Sequence, residues 1–169
     1  MTTNPALWLA LVLCGDLAGC STAPRQPANL PLRYHNAQYD FTFFLPSDWE
    51  GYSVKTEPWQ ADLRSADYQK VIGTEHGPIL IFRHPRWKAG NLYQDIPILV
   101  FTRNQWDAVI PQRLFVGAGG TIDEISHSAG FVFGINSRHN WTELEGWEQT
   151  GRIVQQNMAA GMPHLYSDR

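Results

Sequence analysis

The sequence predicts an α+β fold, a mostly antiparallel β-sheet packed against helices, with a long helix at the C-terminal end. Three observations predict it. Short apolar runs follow one another in hairpin-like succession between residues 41 and 135, spaced by turn residues. Helical spacing of apolar residues is clearest after residue 142. No internal repeat is present, which excludes a solenoid or propeller.

The first strand signal is residues 40–46, where Phe41, Phe43 and Leu45 share a face by the period of two and Pro46 ends the run. Ser47, Asp48 and Gly51 supply turn chemistry, and residues 52–56 alternate again as a returning strand. Residues 58–70 fit either a polar loop or a short helix. Gly77 and Pro78 punctuate the chain before residues 79–82. That run and residues 96–101 are apolar on both faces, the pattern of central strands covered on both sides. Pro97 suits the start of a strand or an edge. Between the two runs lies a loop carrying His84, Pro85, Arg86 and Trp87.

Residues 104–110 read as a short helix ended by Pro111, and residues 114–116 as a short strand closed by Gly117, Gly119 and Gly120. Residues 131–135 form a further strand with Phe131, Phe133 and Ile135 on one face. For the last helix, Thr142 and Glu145 fit a capping box. Leu144, Trp147, Val154 and Met158 make one stripe, with Gly151 leaving room for the sheet. Glu143, Glu145 and Glu148 complement the helix dipole, and Gly161 with Pro163 is a stop. Gly146 and Gly151 cost this helix about 1 kcal/mol each relative to Ala, so packing must hold it.

The 169 residues make room for one domain after a leader. At 43% hydrophobic and 17% charged, the composition is that of a globular protein. The net charge is −3 and the basic residues are scattered, which argues against nucleic acid as a partner. Trp49, Trp59, Trp87, Trp106, Trp141 and Trp147 are core anchors or, in a sharper reading, stacking platforms for a ligand.

The N-terminal part reads as an export leader. Residues 6–14 are nine apolar residues, too few for a permanent span and suited to a signal peptide, and Asp16 ends the run. Leu17, Ala18, Gly19 and Cys20 then follow, in a pattern that resembles a bacterial lipobox. The resemblance implies a signal peptide over 1–19 and acylation of the Cys20 sulfur, with palmitate-like chains holding the protein to a membrane. Ser21, where an acidic residue would favour inner-membrane retention, points to an outer-membrane lipoprotein facing the periplasm. Two or three acyl chains make such an anchor essentially permanent. With Cys14 removed in the leader and Cys20 acylated, the mature domain keeps no thiol. Residues 20–33 read as the lipidated cysteine and a tether, with Pro24, Pro27 and Pro31 favouring extended chain. Twelve such residues reach about 35–40 Å. A single domain is expected over 34–162, with 163–169 as a tail.

Tyr34, then Tyr39 to Phe44, Leu45, Pro46 and Trp49 resemble the opening of PsbP/MOG1-like domains. Segments 77–85, 93–102 and 131–140 are similar to a group of uncharacterised bacterial lipoproteins. The first resemblance implies an accessory or binding module with a long C-terminal helix; the second implies location only.

No zinc-protease, nucleotide-loop, nucleophile-elbow or Cys-x-x-Cys motif is present. None of His35, His76, His84, His127, His139 and His164 has a histidine partner at the next helical or strand position, so a metal site would need distant residues to converge. Asp123 with Glu124 and Glu143 with Glu145 are carboxylate pairs that nothing marks as catalytic. His84, Arg86 and Trp87, at the end of an expected central strand, are the candidate ligand pocket. The expectation is a non-catalytic, lipid-anchored envelope protein without cofactor or metal, serving an envelope protein partner. Two alternatives stay open. One is an envelope hydrolase or carbohydrate-active protein, which would bring two or more of His84, His127, His139, Asp95 and Glu124 into one concavity. The other is a metal-binding envelope protein.

Overall fold

In the computed structural model, residues 25–116, 120–140 and 142–161 are described. The leader, Cys20, the first part of the tether, Trp141, His164 and Pro163 lie outside them. The strands are β1 (Leu32–Asn36), β2 (Phe41–Leu45), β3 (Ser53–Arg64), β4 (Val71–Arg83), β5 (Ile96–Thr102), β6 (Ile122–His127) and β7 (Phe131–Asn136). The helices are α1 (Arg103–Val109) and α2 (Trp147–Gly161), with a 3-10 turn at Ser47–Trp49. Five strands form one sheet in the order β3-β4-β5-β7-β6, and β1 and β2 form a separate hairpin. All these pairings are antiparallel. The fold is α+β with a long last helix, as the sequence predicts.

β5 is the middle strand, and its continuous apolar run separates two cores. On the front, Ile96, Ile98 and Val100 meet the β1–β2 hairpin and α2. On the back, Leu99 and Phe101 meet Trp59, Ala61, α1 and Leu114. The front core is built on aromatic contacts: Phe41 stacks on Phe133 with ring centroids 4.2 Å apart, and Phe43 lies 4.8 Å from Phe82. Packing begins before the expected boundary at 34, because Leu30 is buried in the front core and β1 starts at Leu32.

β2 lacks a strand neighbour on its outer side. There the Asn157 side chain of α2 accepts from the Phe44 N–H at 2.8 Å and donates to the Phe44 carbonyl at 2.9 Å. One carboxamide thus replaces a strand pairing and satisfies two buried backbone groups.

Residues 58–70 correct the expectation of a loop or helix. Strand β3 continues to Arg64, a tight turn follows, and β4 begins at Val71, eight residues ahead of Ile79. Trp59 and Ala61 are buried while Gln60 and Asp62 are exposed, so the alternation is real but short. Pro58 faces Pro78 across this pair. On its outer side β3 meets only the bridge from Leu63 to Leu114, well past Pro58, and β5 meets β4 only from Ile79, so the missing N–H groups interrupt no ladder on those sides. Gly77 is a strand residue too. A Cβ there would sit 2.7 Å from the Trp59 indole, which lies across it and donates to the Val100 carbonyl at 3.1 Å.

β6 is an unexpected strand, and the expected strand at 114–116 is reduced to one bridge between Leu63 and Leu114. The capping box occurs on α1, where the Thr102 hydroxyl accepts from the Gln105 N–H and the Gln105 side chain accepts from the Thr102 N–H. It does not form at Thr142 and Glu145, because α2 begins only at Trp147. Residues ahead of it are taken up by the β4–β5 loop: the Gln94 N–H donates to the Glu145 carbonyl at 2.8 Å. Gly146, at φ +83°, then crosses the Tyr93 ring so closely that a Cβ would lie 2.1 Å from it. The buried face of α2 is Thr150, Ile153, Val154 and Asn157; of the expected stripe, Val154 lies on it and Met158 packs beside it, while Leu144 precedes the helix. What Gly151 makes room for is Asn140, not the sheet.

Candidate functional site

The polar residues marked in the sequence gather at one end of β4, where its last residue Arg83 meets the 3-10 turn and the approach to α2. A turn over 84–87, closed by the Trp87 N–H on the His84 carbonyl at 3.0 Å, sends successive side chains in different directions. His84 turns inward and is 2% exposed. Its ring stacks on Tyr93 at 4.1 Å and meets Trp49 edge-on at 4.9 Å. Nδ1 accepts from the Arg86 N–H at 3.0 Å, and Nε2 has no well-formed hydrogen bond. Burial pushes the imidazole pKa below its usual value; the Asp48 charge and carbonyl and the Glu145 charge oppose this, and the Arg86 charge adds to it.

Arg86 reaches over the surface to pair with Glu145, which also accepts from Asn91 Nδ2 at 3.2 Å. Trp87 lies elsewhere, with the Arg83 guanidinium 3.8 Å over its ring and Lys55 Nζ 6.0 Å away. Arg83 in turn holds Asp95 through Nε at 3.0 Å and Nη2 at 2.5 Å. Gln149, a residue the sequence did not mark, ties the end together. Its Oε1 accepts from Tyr93 OH at 2.5 Å and Trp49 Nε1 at 3.2 Å, and its Nε2 donates to Asp48 at 2.7 Å.

His84, Arg86 and Trp87 therefore belong to one neighbourhood but point in different directions, His84 into the core, Arg86 to Glu145 and Trp87 to the Arg83 guanidinium. His139 sits behind Gln94, whose Nε2 donates to the His139 carbonyl at 3.0 Å. Glu124 and His127 are on the edge strand β6. A bulge between Glu124 and Ser126 brings these two, three residues apart, to one side, where Oε1 and Nδ1 are 2.6 Å apart. Among the described residues, no three His, Cys, Asp or Glu gather closely enough to hold a metal ion. Chemically, the polar end is a network of side chains bonded to one another around the enclosed His84 imidazole.

The opposite end of β4 has the other character. Tyr68, Val71, Ile72, Ile110 and Phe115 are each between 44% and 68% exposed, and they come from the β3–β4 turn, the start of β4 and the chain after α1. The Tyr68 hydroxyl donates to the Pro111 carbonyl, and the Arg64 N–H to the Arg113 carbonyl at 2.9 Å, so these segments form one surface. An open groove of about 720 Å³ runs along β3 there, lined by Gln60, Ala61, Asp62, Arg64, Tyr68 and Phe115. A smaller one of about 240 Å³ lies between α1 and β6 and shares Phe115. Sequence reasoning missed this surface. Its only signal was apolar residues placed beside turn residues, at Val71, Ile72 and Ile110.

No family model, curated protein or solved structure matches this chain. What its residues define is an architecture: an antiparallel five-stranded sheet between two cores, closed and polar at one end and apolar and open at the other. Among the described residues no helix is long and apolar enough to cross a membrane.

Proposed function

We propose that this chain is a non-catalytic, lipid-anchored envelope protein that docks a protein partner through the apolar end of its sheet. The observation that carries the reading is the position of that end relative to the tether. The chain enters the fold at Leu30 and Leu32. Leu32 pairs with Leu45, which leads directly into the 3-10 turn against His84. The tether therefore arrives at the polar end, and the 13 residues of β4, about 40 Å of strand, separate it from Tyr68 and Phe115. A domain held by acyl chains on Cys20 presents that far surface away from the membrane, toward a partner. Contiguous exposed apolar surface beside a groove is the physical mark of a docking site. Arg64, Lys70 and Arg113 flank it and take part in none of the salt bridges among the described residues.

The lipobox and Ser21 support anchoring at the outer membrane, facing the periplasm. The PsbP/MOG1-like reading of the domain is supported by its opening motif: Tyr34, Phe41, Phe43, Leu45 and Trp49 all pack in the front core. Two measurements test the proposal in cells carrying the full chain. Cys20→Ser should move the protein from the membrane fraction to the soluble one; retention on the membrane after a carbonate wash overturns the anchor. A photo-crosslinking amino acid at position 115 should trap a protein adduct that the same probe at the exposed Leu92 does not. Equal labelling at both positions, or none, overturns the docking surface.

A further inference from the structure

Two side-chain nitrogens among the described residues are buried without a well-formed hydrogen bond, and both are histidine Nε2 atoms, of His84, where the Asp48 carbonyl is a poor partner, and of His139. Such atoms are rare in folded proteins and call for a physical explanation. Both residues touch the same short segment, His84 through its ring and His139 through its backbone carbonyl. His84 stacks on Tyr93, and the His139 carbonyl accepts from the side chain of the next residue, Gln94. The backbone of that segment is in turn joined to Glu145, just ahead of α2.

We propose that these two histidines form an acid-sensitive latch: their protonation unfastens residues 84–95 from residues 137–146 and frees the start of α2.

The hydrogen bond at His84 requires a neutral ring, and the enclosed Nε2 favours one at His139. His84 Nδ1 accepts the Arg86 N–H, so it carries a lone pair, and the ring proton is on Nε2. A second proton at Nδ1 would point at the Arg86 N–H. The ring cannot turn away without leaving Tyr93 and Trp49. At His139, Nδ1 lies 3.1 Å from the Asn136 carbonyl, which only accepts, so Nδ1 holds the proton. Protonating its enclosed Nε2 would create a charged N–H with no acceptor. The groups facing His84 are Asp48 and Trp49 of the 3-10 turn, Arg86 and Tyr93 of its own loop, and Glu145 ahead of α2. Those facing His139 are Asn136, Gln94 and, from β6, Asp123. The carboxylates favour protonation in both places, but burial outweighs them and both pKa values lie below the ordinary 6.5.

The sign follows. Above about pH 7.5 both histidines are neutral whether the latch is closed or open, and pH has no effect. As pH falls through 6.5, the open form takes up protons that the closed form excludes, so closure weakens. One unit below 6.5 each histidine can shift the equilibrium about tenfold, and the two together up to about 100-fold. This inference rests on neither the anchor nor the docking surface.

Amide hydrogen exchange on the full chain, corrected for the intrinsic rate, tests it at pH 7.5 and 5.5. Protection over 84–95 and 137–146 should fall by tenfold or more while that of β5 holds. His84→Asn with His139→Asn, which keeps an acceptor and a donor near the Nδ1 positions, should flatten the response to under threefold. If that variant does not fold, NMR titration of the native imidazoles decides. His84 and His139 both titrating below pH 6.5 supports the latch. Either of them titrating at or above 6.5, or a loss of protection spread evenly over the sheet, overturns it.

Discussion

β4 runs between two ends of the molecule built on opposite terms. At Arg83, side chains from three parts of the chain are enclosed and bonded to one another, with Gln149 holding Tyr93, Trp49 and Asp48. At Val71, apolar side chains face solvent, and the polar ones bind mostly backbone of their own turn, as Arg64 Nη1 does on the Tyr68 carbonyl at 3.3 Å. The difference teaches where stability and where recognition reside. An enclosed network is sensitive to any lost atom, because each buried partner left behind is unsatisfied. An exposed apolar surface adds little to folding and is available for binding.

Truncation within the enclosed end should have the largest effect. Trp49 is 0% exposed, packs edge-on against His84 and bonds Gln149. Trp49→Ala is expected to cost about 3–5 kcal/mol, enough to unfold a marginal domain. The check is the urea midpoint followed by far-ultraviolet dichroism. A loss under about 1 kcal/mol would mean that the 3-10 turn is not part of the front core.

The same chemical change at the two ends sharpens the comparison further. Gly146 has φ +83° and lies against Tyr93, whereas nothing lies within 4 Å of a Cβ at Gly73, near the start of β4. Gly146→Ala combines left-handed strain with overpacking and should cost about 2–4 kcal/mol. Gly73→Ala should stay within about 0.5 kcal/mol of the native protein. Equal effects in thermal unfolding would erase the distinction between the ends.

How much of this was legible in the sequence follows the same division. β2, β5, β7 and α1 were readable because their apolar residues are numerous and regularly spaced, and Pro111 marks the end of α1. β1, the second half of β3, the first part of β4 and all of β6 were not. Asp62 and Asp123 sit on solvent-facing positions, Glu124 is half-buried, and the bulge after Glu124 breaks the alternation of β6. The start of α2 was misread for a tertiary reason: Thr142 and Glu145 have the right spacing, but Glu145 is committed to Arg86, Asn91 and the Gln94 N–H. His84 was marked as chemically interesting, yet no local pattern reveals that it points inward. The apolar end exists only once residues 68–72 and 110–115 are brought together by the fold.

The smallest expected effect on stability falls at that apolar end, and there it is most informative. Ile110 is 68% exposed and Phe115 50% exposed. Their removal from water in the free protein is slight, so Ile110→Ser with Phe115→Ser should change the unfolding free energy by no more than about 1 kcal/mol. The same pair should abolish the adduct trapped from a photo-crosslinker placed at Tyr68, because hot-spot apolar contacts count in the complex and not in the fold. Unfolding curves and crosslinking on the one variant therefore read two quantities that the enclosed end would move together. A large loss of stability would show that the surface is core in disguise. An adduct that survives would show that it docks nothing.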